Sequence, residues 1–223
     1  MTIIYKGFMR ERIQRHPATI SPDASLLEAR QLIHEKGNRH LVVVDENRNV
    51  VGIVTERDLR ATAPPDSTRK INVSAFMTPK ERLIWITPDT MIEEAVQLLH
   101  DHEIRCLPVL EEGRLYGIFT ETDALSHLVD LFGLKQKGTR LTLALENKPG
   151  ALFGVLKVIK DHEVNVISVV SPSFFVEGKR IAAIRIETEK YEAIVNDLEK
   201  AGYPVLSVGK WPSLEESPPN DKF

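Results

Sequence analysis

Apolar residues recur along this chain in two rhythms. Leu26, Ala29, Leu32 and Ile33 share one face at helical spacing, and Ile92, Ala95, Leu98 and Leu99 do the same. Short extended leads, Ala18-Thr19-Ile20 and Trp85-Ile86-Thr87, run into Pro22-Asp23 and Pro88-Asp89 ahead of these stripes. After each stripe comes an apolar run of strand length, "HLVVVD" (40–45) or "CLPVLE" (106–111). A turn and a second strand follow, "VVGIVT" (50–55) or "LYGIFT" (115–120). A closing helix is predicted to open at the Thr, and Pro64-Pro65 stops the first of them.

The rhythm changes after the polar linker "LKQKG" (134–138). Leu141, Leu143 and Leu145 alternate with Thr142, Ala144 and Glu146, the pattern of a half-buried strand. "NKPGALFGVLKVIKDH" (147–162) predicts a helix with Leu152, Val155, Leu156 and Ile159 inward and Pro149 as its first residue. Strands at 164–171 and 180–187, a helix at 191–202 closed by Gly202, and a strand at 203–208 complete a βαββαβ order. That order is the ferredoxin-like split motif. The tail from 210 to 223 has almost no apolar content and is expected to be disordered.

The first half is a duplication. "GIVTERDL" (52–59) returns as "GIFTETDA" (117–124), Glu28-Ala29 as Glu94-Ala95, and Arg39-His40-Leu41 as Arg105-Cys106-Leu107. The offset is 66 up to Val43/Val109 and 65 from Gly52/Gly117 onward. One residue is therefore lost in the turn, where "DENRN" (45–49) faces the shorter "EEGR" (111–114). A structural unit of roughly 55 residues is present twice.

Composition narrows the function. The 223 residues have room for one large domain or two to three small ones, and no apolar run approaches the roughly 18 residues of a membrane span. A net charge of −3 with interspersed signs provides no basic stripe, and eight Phe, four Tyr and two Trp are too few for a base-stacking platform. Nucleic acid and membrane are not expected partners. The single cysteine, Cys106, excludes an internal disulfide and cysteine-based zinc ligation, and a cytoplasmic protein is expected. No metal is expected: His34 and His100 are repeat equivalents, and His102 and His162 lack a second ligand at i+4. Cys106 follows Arg105, which could lower its pKa, but no local base accompanies it, and a small apolar strand residue is expected. No phosphate-binding Gly-rich loop, catalytic triad order or carboxylate dyad is present, so catalysis has little support.

The repeated Thr-x-x-Asp (Thr55/Asp58, Thr120/Asp123) has two readings. One is a helix N-cap, with Thr accepting from the third helical N–H and the acid favouring the dipole. The other adds a ligand: free N–H groups and the Thr hydroxyl face a phosphate, while the Asp accepts from a vicinal diol such as ribose.

"TISPDASLLEARQLIHEKGNRHLVVVDENRNVVGIVTERDL" and "WITPDTMIEEAVQLLHDHEIRCLPVLEEGRLYGIFTETDAL" resemble a tandem pair of CBS domains, with "FMTP" (76–79) similar to the usual lead-in. The first copy leads in with "FMRERIQRHP" instead, without Thr-Pro. The resemblance implies adenine nucleotides or related adenosyl ligands, such as AMP, ATP or S-adenosylmethionine, in clefts between the repeats. By position, Asp58 and Asp123 would take ribose, with Thr55 and Thr120 beside ribose or phosphate. Thr19, Ile20, His40, Leu41, Thr87, Cys106 and Leu107 would wall the base. The family also implies a homodimer, to which some of the stripe residues Leu26, Ala29, Leu32, Ile92, Ala95 and Leu99 would contribute.

"ENKPGALFGVLKVIKDHEVNVISV" (146–169) resembles the signature of an ACT domain, a small-ligand sensor often specific for amino acids. Asn147, Gly150 and Asn165 would then contact an amino-acid effector. Leu145 stands where serine-binding members present a histidine, which implies a ligand more apolar than serine. The alternative for Asn147 is an N-cap, and for Asn165 a turn residue.

The expected architecture is α/β followed by α+β: CBS repeats at 8–65 and 74–133, an ACT domain at 139–209, and the tail at 210–223. The order resembles regulators of the acetoin-utilisation protein B type. It implies a non-catalytic sensor of adenine nucleotide, and of an amino-acid-like metabolite, that acts on an unknown target in acetoin or related carbon catabolism. A ligand-free oligomerisation or adaptor module is the alternative.

Overall fold

The computed structural model describes residues 9–37, 39–62, 70–173 and 175–211. Phe8, the Pro64-Pro65 stop and residues 212–223 of the expected tail lie outside them, whereas 210–211 belong to the last strand. The chain divides into two units, Met1–Leu125 and Ser126–Phe223, and each is taken by itself.

The first unit opens with α1 (Met9–Arg12) and β1 (Thr19–Ile20). Ser25 then starts α2 (Leu26–Lys36) with a capping box: its hydroxyl accepts from Glu28 N at 3.2 Å, and Glu28 accepts from Ser25 N at 2.7 Å. Gly37 ends the helix in the left-handed conformation, φ 62. Next come β2 (His40–Val44), β3 (Val50–Thr55) and α3 (Glu56–Thr62), followed by β4 (Thr78–Pro79). The second copy supplies α4 (Ile92–Asp101), β5 (Cys106–Glu111), β6 (Arg114–Thr120) and α5 (Glu121–Leu131).

The copies exchange their lead-ins. β1–β2–β3–β4 form one sheet, parallel at β1–β2 and otherwise antiparallel, but β4 belongs to the lead-in of the second copy while pairing with the first. Conversely, Gln14 lies in the lead-in of the first copy and bridges antiparallel to Ile118 in the second. The β5–β6 hairpin thus repeats the four-strand pattern, with Ile86 bridging parallel to Val109 in the place of β1. Packing follows pairing: Met9 and Ile13 lie in the second copy's core with Ile92, Ala95, Leu107 and Phe119. Val73 lies in the first copy's core with Leu26, Ala29, Leu41 and Val54.

The repeated glycine belongs to this exchange. A Cβ on Gly52 would stand 2.7 Å from Thr78 O, and one on Gly117 would stand 2.6 Å from Gln14 O. Each crossing lead-in lies flat on a strand only where that strand has no side chain. The opposite faces of the hairpins meet through Val42, Val50, Ile53, Cys106, Leu110 and Ile118. Both faces of these strands are buried, which explains their continuous apolar runs.

The stripe residues Leu26, Ala29, Ile92, Ala95 and Leu99 are buried within the chain, between helix and sheet. These five are not available to a second copy, which leaves only the partly buried Leu32 of the stripe residues expected to contribute. Exposed apolar side chains among the described residues include Leu27 on α2, Met91 at the start of α4, and Leu125 and Leu131 on α5.

The second unit contains β7 (Gly138–Leu145), α6 (Ala151–Asp161), β8 (Val166–Val170), β9 (Phe175–Val176), β10 (Lys179–Ile186), α7 (Glu192–Lys200) and β11 (Val205–Trp211). The sheet order is β11–β7–β10–β8 with antiparallel neighbours. Leu141, Leu143, Val155, Ile159, Ile184, Ile194 and Leu198 form its core. Pro149 lies in the turn before α6, not at its first position; Gly150, at φ 83, caps the helix instead. The short hairpin of β9 and β10 was not expected. Glu177 and Gly178 make its turn at φ 50 and 76.

Candidate ligand clefts

The Thr-x-x-Asp motif is built the same way twice. Asp58 Oδ2 accepts from Thr55 N at 2.8 Å and from the Thr55 hydroxyl at 2.7 Å, while Asp58 N donates to Thr55 Oγ1 at 3.3 Å. At Thr120 and Asp123 the same three distances are 2.8, 2.6 and 3.3 Å. Each pair is a reciprocal cap, and each commits the only hydroxyl proton of its Thr to the Asp. The proton that the sequence reading offered to a phosphate is already used. Thr55 and Thr120 instead orient a carboxylate.

The copies differ at the other carboxylate oxygen. Gln14 Nε2 stands 3.3 Å from both Asp123 Oδ1 and Oδ2. Against the first motif, Thr78 takes the place that Gln14 has against the second, pairing with Ile53 as Gln14 does with Ile118. Among the described residues nothing donates to Asp58 Oδ1, so that oxygen is open.

A cavity of about 430 Å³ lies beside Asp58. Its apolar wall is Ile53, Leu83, Ile84, Ile104, Cys106 and Pro108. Arg39, Arg57, Arg60, Arg82 and Arg105 stand against Glu56, Asp58 and Glu103, a net charge of +2 with His40 neutral. The cleft beside Thr120 is smaller, about 290 Å³, and is lined by Gln14, Pro17, Ala18, Arg39, His40, Arg105, Glu121 and others. The first falls within the roughly 300–1,000 Å³ usual for small-molecule sites, and the second lies at the lower edge of that range.

The structure brings Thr55, Asp58, His40 and Cys106 to the larger cleft, and Thr120 and His40 to the smaller. Asp123 meets the smaller one through Gln14. Other expected wall residues lie elsewhere. Ile20, Leu41 and Leu107 are core residues, because strand alternation that turns His40 and Cys106 to the cleft turns their neighbours to the helices. Thr19 pairs with Val42 in the sheet, and Thr87 N bonds the Thr90 hydroxyl in an exposed turn. The lead-ins meet the clefts earlier, at Pro17-Ala18 and Leu83-Ile84. Arg39, Arg105 and Gln14 were missed. The first two were visible as an identical pair within the repeat.

Partial burial lowers the His40 pKa, and the charges of Arg105 and Arg39 lower it further. Burial pushes the Cys106 thiol up to about 12, with the carboxylates of Glu121 and Asp58 adding to it. Arg105 does not pull it down, and the thiol stays protonated, as suits a small apolar strand residue.

In the second unit Asn147 Oδ1 accepts from Arg180 Nε and Nη2, both at 3.4 Å, and Asn165 Nδ2 donates to Glu187 at 3.0 Å. Arg180 and Glu187 are seven residues apart along and just beyond β10, roughly 23 Å at strand rise. One chain does not bring Asn147 and Asn165 together. Gly150 is exposed, with open space where its side chain would be. Among the described residues, no helix is long and apolar enough to cross a membrane.

Comparison with known proteins agrees with this architecture. The CBS domain model matches residues 9–64 and 73–130, and a TTHA0829-like ACT domain model matches 137–209. An inosine-5'-monophosphate dehydrogenase of Pasteurella multocida is 36% identical over 108 residues, 48% of this chain and 21% of the enzyme. That similarity is confined to the CBS region and leaves out the catalytic domain. A Vibrio cholerae structure assigned to acetoin utilization (AcuB) aligns at 28% identity and TM-score 0.50, covering 56% of this chain and 93% of that one. A conserved protein of Pyrococcus horikoshii aligns at 29% identity and TM-score 0.50, covering 57% and 95%. The chain belongs to the CBS-domain family, as a tandem CBS pair followed by a TTHA0829-like ACT domain.

Proposed function

We propose that this protein is a non-catalytic regulator whose CBS pair senses an adenine nucleotide or related adenosyl ligand in the larger cleft. The observation that carries this is Asp58: Thr55 holds its Oδ2, its Oδ1 is open, and an apolar slot and five arginines stand beside it. One oxygen can accept from both hydroxyls of a ribose, the slot suits a base, and the guanidinium groups suit phosphates. Asp123 serves the second cleft less well, because Gln14 already engages it. Titration calorimetry with AMP, ATP, S-adenosylmethionine and adenosine tests the reading. Binding that Asp58→Ala weakens more than Asp123→Ala supports it; equal affinities in the wild type and both variants would refute it.

The repeats at 8–65 and 74–133 and the ACT domain at 139–209 are taken as its working parts, in a cytoplasmic homodimer. An amino-acid-like effector would sit where Asn147 and Gly150 of one copy meet Asn165 of another, since one chain keeps them apart. The similarity to the Vibrio cholerae protein supports a role in acetoin or related carbon catabolism, through a target protein. The second reading, a ligand-free adaptor, is favoured by one observation: both Thr-Asp caps are complete without any ligand.

A further inference from the structure

The two clefts do not have separate walls. Arg39, His40 and Arg105 line both. The arginines are equivalent positions of the repeat, 66 residues apart. Each is tied by its backbone to the helix start of its own copy: Glu56 N donates to Arg39 O at 3.0 Å, and Glu121 N donates to Arg105 O at 3.1 Å. Both arginines also act on the His40 ring, so the three groups share one neighbourhood. Arg105 is 64% exposed and 3.9 Å from its nearest carboxylate, Glu121, a loose pair that an anion can displace.

The geometry points to one anion seat, built by Arg39 and Arg105 beside His40 and shared by both clefts, so that a CBS pair holds one phosphorylated ligand at a time. This rests on reading the clefts as nucleotide sites and adds where the phosphates go. The charge of the smaller cleft decides the count. Its lining carries Arg39, Arg105 and Glu121, a net of +1 with His40 neutral. Once a ligand in the larger cleft has engaged both guanidinium groups, Glu121 is left and the sign reverses. A second phosphorylated ligand then meets repulsion where the first met attraction. A neutral nucleoside is exempt.

Equilibrium dialysis with labelled pyrophosphate, ADP and adenosine tests this in the full chain, in Arg39→Gln, and in Arg105→Gln. The expected result is one equivalent of pyrophosphate and one of ADP per chain. Each single substitution weakens that equivalent by about tenfold or more without changing the stoichiometry, because both arginines serve one anion. Adenosine affinity stays the same in all three proteins. Two equivalents of pyrophosphate, with each substitution removing one, would mean two independent seats and overturn the proposal. No pyrophosphate binding would overturn it as well. Pyrophosphate binding without any binding of ADP or adenosine would instead sink the nucleotide reading and leave the seat standing. Unchanged ligand-free melting confirms that the variants are folded.

Discussion

Gly117→Ala tests the exchange of lead-ins that shapes both clefts. The added Cβ would stand 2.3 Å from Ile13 Cγ2 and 2.6 Å from Gln14 O. The side chain can rotate away, but the carbonyl cannot. Gln14 O accepts from Ile118 N at 3.1 Å, and Gln14 N donates to Ile118 O at 3.0 Å, so retreat lengthens both bonds. Losing two backbone hydrogen bonds of about 0.5–1.5 kcal/mol each gives a cost of about 2 kcal/mol, within the usual range for overpacking. Ile13 is 6% exposed in the second copy's core, so its displacement adds to that cost. Urea unfolding followed by circular dichroism measures the change. Gly209→Ala is the control: it lies in β11, nothing stands within 4 Å of its Cβ position, and a change under about 0.5 kcal/mol is expected. A Gly117→Ala protein as stable as the wild type would refute the crossing of Gln14 over Ile118.

Two further outcomes follow from the cleft electrostatics. Cys106, with a thiol pushed up to about 12 and only 7% exposed, should resist iodoacetamide at pH 8 while the urea-unfolded chain reacts readily; rapid alkylation of the folded protein would contradict its burial. His40 has a lowered folded pKa, so the unfolded chain takes up its proton first; its contribution is intact above the ordinary value near 6.5 and is lost as pH falls toward the folded value. The urea midpoint should drop between pH 7 and 5.5, and His40→Gln should reduce that drop; a steeper drop in the variant would reverse the assignment.

Much of the fold was legible because burial imposes periods on the sequence. Ala29 and Ala95 lie fully buried at the positions where a 3.6-residue stripe places them, and the duplicated blocks carried the duplicated hairpins. The exchange of lead-ins was not legible. Nothing local distinguishes a strand that pairs with its own copy from one that pairs with the other, and the only trace was a glycine whose reason lies across the sheet, at Thr78 or Gln14. Ile20, Leu41 and Leu107 were misplaced by one strand position or less than a turn of chain, enough to change face. At Cys106 the lack of a local base marked a small apolar strand residue, and burial there outweighs any effect of the neighbouring Arg105, whose head is solvated. Pro149 yielded the helix start to Gly150 because the turn there requires a positive φ.

The central claim is that the open oxygen of Asp58 recognises a ribose diol, and matched ribo- and 2'-deoxyribonucleotides test it most directly. Calorimetric titration of ADP and 2'-deoxy-ADP into the wild type and Asp58→Ala compares the two sugars with identical phosphates and base. A hydrogen bond to a charged carboxylate contributes about 1.5–3 kcal/mol, so the wild type should prefer ADP by about tenfold or more. Asp58→Ala should bind both sugars weakly and without preference, while Asp123→Ala keeps the wild-type ratio. Equal affinity of the wild type for the two sugars, or a preference that survives Asp58→Ala, would contradict the account.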